Sequence, residues 1–355
     1  MDLCWPSWIS VGIDNLVYKD PASMIASSNP SRGVGSIWLA GSYQYIELDS
    51  EASTYHLITS GGVKLNVLPK NGEVHLAAWN VAVDGTGDAS TQIAEAVELI
   101  RSLGSSPSWT GFRIKFPALV LPVGEVRFTV AESLNAAFIT ASQGYVIKGV
   151  GRESTTMFYD NDSGDPALDT SVINSVKFQD LTIRQDSVTS RFIRHFNAGS
   201  GGGSFLVFQH VRFVGDFEYF VEVEGTSLGS ETIWYDVAGG VPVGGTLLRV
   251  NSTNPQSVNH QFVNCTIGTR GTVFHFSAGG NLRWFGGYTS MYDDSTFLLL
   301  DPPSGGLIGV SNSDFSFFGW HPEIVSGNDG DVTIVKSQAE GDVSFILNLQ
   351  GNPCL

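Results

Sequence analysis

Residues 178–183, 208–213 and 262–267 read FQDLTI, FQHVRF and FVNCTI. All three fit one pattern: aromatic, two variable residues, aliphatic, variable, apolar. A degraded copy, FGGYTS, occupies 285–290, and a weaker one, VSNSDF, occupies 310–315. The starts differ by 30, 54, 23 and 25 residues, and 54 is twice 27, which predicts a hidden copy near Tyr235 in IWYDVAGG. A period of roughly 23–30 residues is one turn of a solenoid. The repeating unit is strand and turn rather than helix and turn. FRIKF, LVLPVGEVRFTV and YVIKGVG, from residue 112 onward, are β-branched and aromatic runs bounded by Gly, Pro, Ser and Asn. An antiparallel sandwich also places strands at short intervals, but the repeat favours an all-β, right-handed parallel β-helix.

A parallel β-helix leaves an apolar core and a row of unpaired backbone groups exposed at each end. The stretch WNVAVDGTGDASTQIAEAVELIRSLG, 79–104, supplies an element that covers one end. Ile93, Ala96, Val97, Ile100 and Leu103 recur on one helical face. Asp88 or Ser90 can accept hydrogen bonds from the first turn. Arg101 sits near the negative end of the helix dipole, and Gly104 suits the left-handed stop. The five apolar residues are read as a lid on the solenoid. Residues 1–76, with strand-like SIWLAGSYQYIEL and STYHLI and turns at Gly61-Gly62 and Pro69–Gly72, form a small separate module. The β-helix is expected over 77–322, and C-terminal strands or a tail over 323–355.

Composition narrows the function. The chain has 355 residues, 41 of them Gly, and 15% are charged, so its surface relies on neutral polar and backbone groups. Net charge is −16, from 19 basic and 35 acidic residues, which argues against a nucleic-acid partner. Three distant cysteines, Cys4, Cys265 and Cys354, give neither a disulfide framework nor a metal site. No run reaches the length of a membrane-spanning helix, and the N-terminus lacks the basic and apolar segments of a signal peptide. Phosphate-loop and His-based zinc motifs are missing, and Gly149-Val150-Gly151 has no helix after it to make a dinucleotide site. No cofactor, metal or membrane insertion is expected.

WNVAVDGTGDASTQIAEAVELI, FPALVLPVGEVRF and YVIKGVGRESTTMFYD, taken in order over 79–160, resemble the opening of pectate-lyase-like β-helix proteins. That opening has an apolar–Gly–Asp turn, a capping helix, a Pro-x-Gly hairpin and an Ile-x-Gly-x-Gly strand. Here Asp88-Ala89-Ser90-Thr91 stands where the family has paired acidic or Thr residues. The upstream STYHLITSGGVKLNVLPKNGEV resembles the segment before the β-helix in bacteriophage tailspikes. The resemblance implies a virion protein of tailspike or tail-fibre type, trimeric, attached to phage tail proteins through residues 1–76. Its β-helix would face host cell-surface polysaccharide. An active polysaccharide depolymerase and a non-enzymatic structural adaptor or decoration protein are the alternatives.

A depolymerase would be either a lyase, which wants a calcium site of clustered Asp with an Arg or Lys base and finds no clear cluster here, or a glycosidase, which needs a carboxylate pair. In GDFEYFVEVEG, alternation puts Asp216, Glu218, Glu222 and Glu224 on one strand face. Residues two apart stand about 6.5–7 Å apart at Cα, near the separation used by inverting glycosidases. Asp293-Asp294 is a second acidic site, more readily a turn. Aromatic rings suit the apolar faces of sugars. Trp234, Tyr235, Trp284, Tyr288, Tyr292 and Trp320 are candidates, with Trp234 foremost beside Tyr235 and Asp236. The lid reading makes a prediction of its own. Val97→Asp puts a carboxylate against the core and is expected to lower stability by several kcal/mol. Thermal melting checks this, and an unchanged midpoint defeats it.

Overall fold

A computed structural model of the chain describes residues 17–103, 117–135, 144–171, 173, 175–197, 205–225, 231–252, 259–277, 280–292, 295–300, 312–324, 334–336 and 342–349. It divides into two compact units, Met1–Val81 and Ala82–Leu355. The expected strand FRIKF and the helix stop at Gly104 lie outside the described residues, as do Cys4 and Cys354.

In the first unit five short strands form one sheet, ordered Val17–Tyr18, Ile37–Ala40, Tyr43–Glu47, Lys64–Leu68, Leu57–Ile58. The expected run 36–48 is a hairpin turning at Gly41-Ser42. Asn71 and Gly72, both at positive φ, make the turn foreseen at 69–72. A short helix, Pro21–Ile25, has no counterpart in the sequence reading. At five residues it is too short for periodicity, and its signal is local: Pro21 in the first turn, with the Asp20 carboxylate accepting from the Ser23 amide at 2.8 Å. Glu47 is buried. Its carboxylate accepts from the Gly33 amide at 3.0 Å, the Trp38 indole at 2.9 Å, the Arg32 amide and the Ser31 hydroxyl. Burial pushes this carboxyl up, but those four donors outweigh it and hold it below the usual range.

The second unit is a parallel β-helix. The chain alternates between two parallel sheets. The first contains the long strands Ser175–Asp186, Phe205–Asp216, Asn259–Thr269, Asn281–Met291 and Asn312–Ile324. One rung of it is split into Glu231–Tyr235 and Ala238–Val241. The second sheet runs Leu168–Asp169, Arg191–Asn197, Tyr219–Gly225, Thr246–Ser252, Thr272–Phe276, Thr296–Leu300, Ile334–Lys336. The C-terminal strands Ile334–Lys336 and Asp342–Leu349 pair with Thr296–Leu300 and Asn312–Ile324, so they extend these sheets.

Strand register identifies the repeat. Phe178, Phe208, Trp234, Phe262, Trp284 and Phe317 occupy equivalent positions in successive rungs. The hidden copy expected near Tyr235 is therefore WYDVAG, starting at Trp234. The fifth copy starts at Trp284 rather than Phe285, and the sixth is FFGWHP rather than VSNSDF. In both, two adjacent aromatics left the phase open, and only the pairing chooses between them. Inside, the rings stack: Phe178 on Phe208 with centroids 5.4 Å apart, Phe208 on Trp234 at 4.2 Å, Trp234 on Phe262 at 4.9 Å, Phe262 on Trp284 at 5.4 Å.

The helix Ser90–Ser102 packs against strand Ala118–Val120 and buries Ile93, Ala96, Val97 and Ile100. Leu103 is the exception, at 37% exposure: it follows the last helical residue, where the face has turned outward. Asp88 acts as expected at the helix start, whereas the Ser90 hydroxyl reaches outside the helix. Asp88 accepts from the Ser90 amide at 3.0 Å, and the Ser90 hydroxyl accepts from the Thr129 and Val130 amides.

Two buried histidines couple this core to pH. Nδ1 of His195 lies 2.9 Å from the Thr170 hydroxyl, and Nδ1 of His260 lies 2.9 Å from that of Thr232. Burial lowers His195 from 6.5 to about 4 and His260 to about 3, with His195 adding to the fall of His260. The unfolded chain therefore binds more protons than the folded one between about pH 6.5 and pH 4. Stability is complete above that window and falls as pH drops through it, by at most about 1.4 kcal/mol per pH unit for each histidine. Denaturant melts at pH 6.5 and 4.5 are expected to show the loss, and His260→Asn to reduce it. A slope unchanged by that substitution refutes the assignment.

Candidate functional site

Each long rung bends at one residue. Asp180, His210, Asp236 and Asn264 sit there with φ of 56°, 51°, 51° and 54°, followed by Gly286 and Gly319 at 64° and 63°. Positive φ is costly for most L-residues, and Asp, Asn, His and Gly tolerate it best. Because the rungs are in register, the bend residues form a row on the surface. His210 bridges it: Nδ1 lies 3.1 Å from Asp180 and Nε2 lies 3.6 Å from Asp236. Tyr235, 47% exposed, lies beside this row with its ring 5.9 Å from that of His210.

Beyond the bend, outward positions also fall in rows. One is Arg212, Ala238, Thr266, Tyr288, and its neighbour is Val214, Gly240, Gly268, Ser290. Small residues in the two middle rungs sit between larger ones on either side. The result is a shallow trough of about 440 Å³, lined by Arg212, Val214, Gly240, Gly268, Arg270 and Tyr292 among others. From the Arg212 strand to the Tyr288 strand is three rung steps, about 14 Å at the usual strand spacing.

The glycines of the floor are informative by comparison. At Gly215, with φ of 99°, a Cβ would fall 1.9 Å from the Gln185 carbonyl oxygen, so the fold requires glycine there. Gly240 and Gly268 have ordinary strand backbone. A Cβ at Gly240 meets nothing within 4 Å, and one at Gly268 comes no closer than 3.9 Å to the Tyr292 ring and the Gly239 carbonyl. Neither sterics nor φ demands glycine at these two positions, and glycine in a strand interior weakens it. What their missing side chains provide is the depth of the trough.

The acidic stretch does not form one face. Asp216 ends a strand of the first sheet, Glu218 lies in the corner after it, and Glu222 and Glu224 belong to the second sheet. Alternation cannot carry through a corner, which explains the difference. Phe220, which that phase put among the acids, is buried against Phe192 and Phe208. Glu222 is 3% exposed and bonds Arg191 and Arg249, the latter at 3.2 Å. Glu224 meets Arg194 at 2.7 Å, and Arg194 also meets Asp169 at 3.0 Å. Burial raises the Glu222 carboxyl against the pull of Arg191.

Among the aromatic candidates, Trp234 is fully buried, with its indole donating to the Thr232 hydroxyl at 2.9 Å. Trp284 and Trp320 are also buried. Trp234 and Trp284 belong to the core because the first aromatic of each copy points inward and its neighbour points out, and Trp320 fills the inward fourth position of its copy. Tyr235, Asp236, Tyr288 and Tyr292 remain on the surface, while Asp293 and Asp294 lie outside the described residues. Arg212, His210, Asp180, Gly240, Gly268 and Arg270 went unnoticed in the sequence. The bend had a signal: the third position of FQDLTI, FQHVRF and FVNCTI is always a residue that tolerates positive φ. No metal-binding group of His, Cys, Asp and Glu occurs among the described residues.

No protein-family model matches the sequence, and no curated protein matches it. Among solved structures, the chain is similar to Pantoea stewartii WceF, described as a glycan biofilm modifying enzyme with a bacteriophage tailspike-like parallel β-helix fold. The identity is 11% and the TM-score 0.40, over 82% of this chain and 48% of that one. The chain thus spans about half the length of WceF. It is also similar to ORF18 of Geobacillus virus E2, at 13% identity and TM-score 0.40, over 93% of this chain and 72% of that one.

The ion pairs around Glu222 give a direct test of its role. Glu222→Gln leaves Arg191 and Arg249 without their buried counter-charge, and is expected to cost about 3 kcal/mol of stability. Urea denaturation checks it. An unchanged midpoint would remove the structural role assigned to Glu222.

Proposed function

We propose that this chain is a phage tail appendage, of tailspike or tail-fibre type, whose β-helix binds host surface polysaccharide. The observation that carries the binding role is the trough over Gly240 and Gly268. It is open, longer than one sugar ring, floored by backbone, and flanked by Tyr292. Backbone and small polar groups satisfy sugar hydroxyls, while tyrosine rings cover the apolar sugar faces. A chain in which only 15% of residues are charged suits a ligand read mainly by such groups. Placement on a phage tail, attachment through residues 1–76 and a homotrimeric state rest on the resemblance of 53–74 to the segment before the β-helix in tailspikes.

The depolymerase alternative requires two carboxylates free to exchange protons. Glu222 and Glu224 are held by three arginines, so in this reading they are structural and the glycan-binding role does not call on them. No helix among the described residues is long and apolar enough to cross a membrane.

Gly268→Val is the informative variant. It places a side chain in the trough, where the backbone accepts one, on a strand that favours β-branched residues. Binding to a panel of bacterial surface polysaccharides is expected to fall at least tenfold while the melting temperature holds. Unchanged binding, or binding to no polysaccharide by the parent protein, defeats the proposal. Shortening of a bound polymer in a reducing-sugar assay replaces it with the depolymerase reading. A monomer mass by light scattering at micromolar concentration removes the trimer.

A further inference from the structure

Charge at the trough narrows the ligand. Arg270 follows strand Asn259–Thr269, is exposed, and holds its guanidinium over the Tyr292 ring, 5.3 Å from the centroid. Among the described residues no carboxylate lies within ion-pair reach of it, although acidic residues outnumber basic ones 35 to 19 in this chain. Arg191, Arg194 and Arg249, by contrast, are each tied to glutamates of the second sheet. Arg212, at the other side of the trough, is paired among the described residues only with Glu153 at 3.1 Å, where the Glu153 side chain is 68% exposed. An exposed pair of this kind holds Arg212 weakly and can be exchanged for another carboxylate.

Resting on the polysaccharide reading above, we infer that the trough selects an acidic glycan, one carrying uronic-acid carboxylates, and that Arg270 is the residue that reads the charge. Guanidinium matches carboxylate through two parallel N–H···O bonds. The Tyr292 ring beneath it fixes the orientation of that fork. Sugar rings lie along the Gly240 and Gly268 floor, with one carboxylate at Arg270 and a second, on an adjoining sugar, within reach of Arg212. The net charge of −16 repels an anionic polymer at long range. At physiological salt that repulsion is screened beyond about 8 Å, so contacts inside the trough decide affinity.

The test uses uronate-containing bacterial polysaccharides, each in native form and with its carboxyl groups reduced to alcohols, plus a sulfated glycan of similar length. Native polymer is expected to bind the parent protein at least tenfold more tightly than its reduced form. Arg270→Gln is expected to remove most of that preference, by weakening the native polymer much more than the reduced one, with Arg212 keeping the remainder. Arg270→Lys, which keeps the charge but not the fork, is expected to restore part of it. Equal binding of native and reduced forms, with no effect of Arg270→Gln, overturns the acidic assignment and leaves polysaccharide binding in place. Preference for the sulfated glycan over every uronate polymer overturns the carboxylate assignment. Failure of every polymer, native or reduced, overturns this inference and the polysaccharide reading together.

Discussion

The stacking of one rung on the next governs this molecule. Parallel strands in register sit about 4.8 Å apart, so a residue type that recurs once per turn meets its own copies above and below. Phe178, Phe208, Trp234, Phe262 and Trp284 do so, with centroids between 4.2 and 5.4 Å apart. Each ring pair adds roughly 0.5–1.5 kcal/mol beyond its buried area. The column also fixes register, since a slip by one residue would turn every ring outward. The open end of such a column is an apolar surface, and the helix Ser90–Ser102 answers it with a stripe of matching character.

The same periodicity shapes the outside. At the bends it produces a polar row in which His210 lies between two aspartates. On the second sheet it sets Arg194, Glu222 and Arg249 on successive strands, so that opposite charges alternate along the stack. Beyond the bend it lines up Ala238 and Gly240 with Thr266 and Gly268, and small side chains become a depression. A groove on a solenoid therefore needs no special loop. It needs small residues in two adjacent rungs, between rungs that keep large ones.

Much of the fold was legible because helix and solenoid both declare themselves through spacing. Ile93, Ala96, Val97 and Ile100 gave the lid, and FQDLTI, FQHVRF and FVNCTI gave the rung. The site was less legible. Alternation was carried across the corner at Phe217-Glu218, which joined Asp216 to Glu222 although they lie in different sheets. Where two aromatics adjoin, as in Trp234-Tyr235 and Trp284-Phe285, composition does not say which one faces the core. Trp234 stood out for its neighbours Tyr235 and Asp236, but the core needed its ring.

By itself, the sequence determined the class of architecture, the place where the β-helix begins and the element that closes it. These depend on local periodicity and on residue types with narrow backbone preferences, both of which are properties of a single segment. Tertiary structure alone decided which face each ring takes, which carboxylates are neutralised by arginine, and that Gly240, Gly268, Arg212, Arg270 and Tyr292 share one surface. Those residues come from successive turns of the chain. Their proximity is set by inter-strand register, which no single stretch of sequence contains.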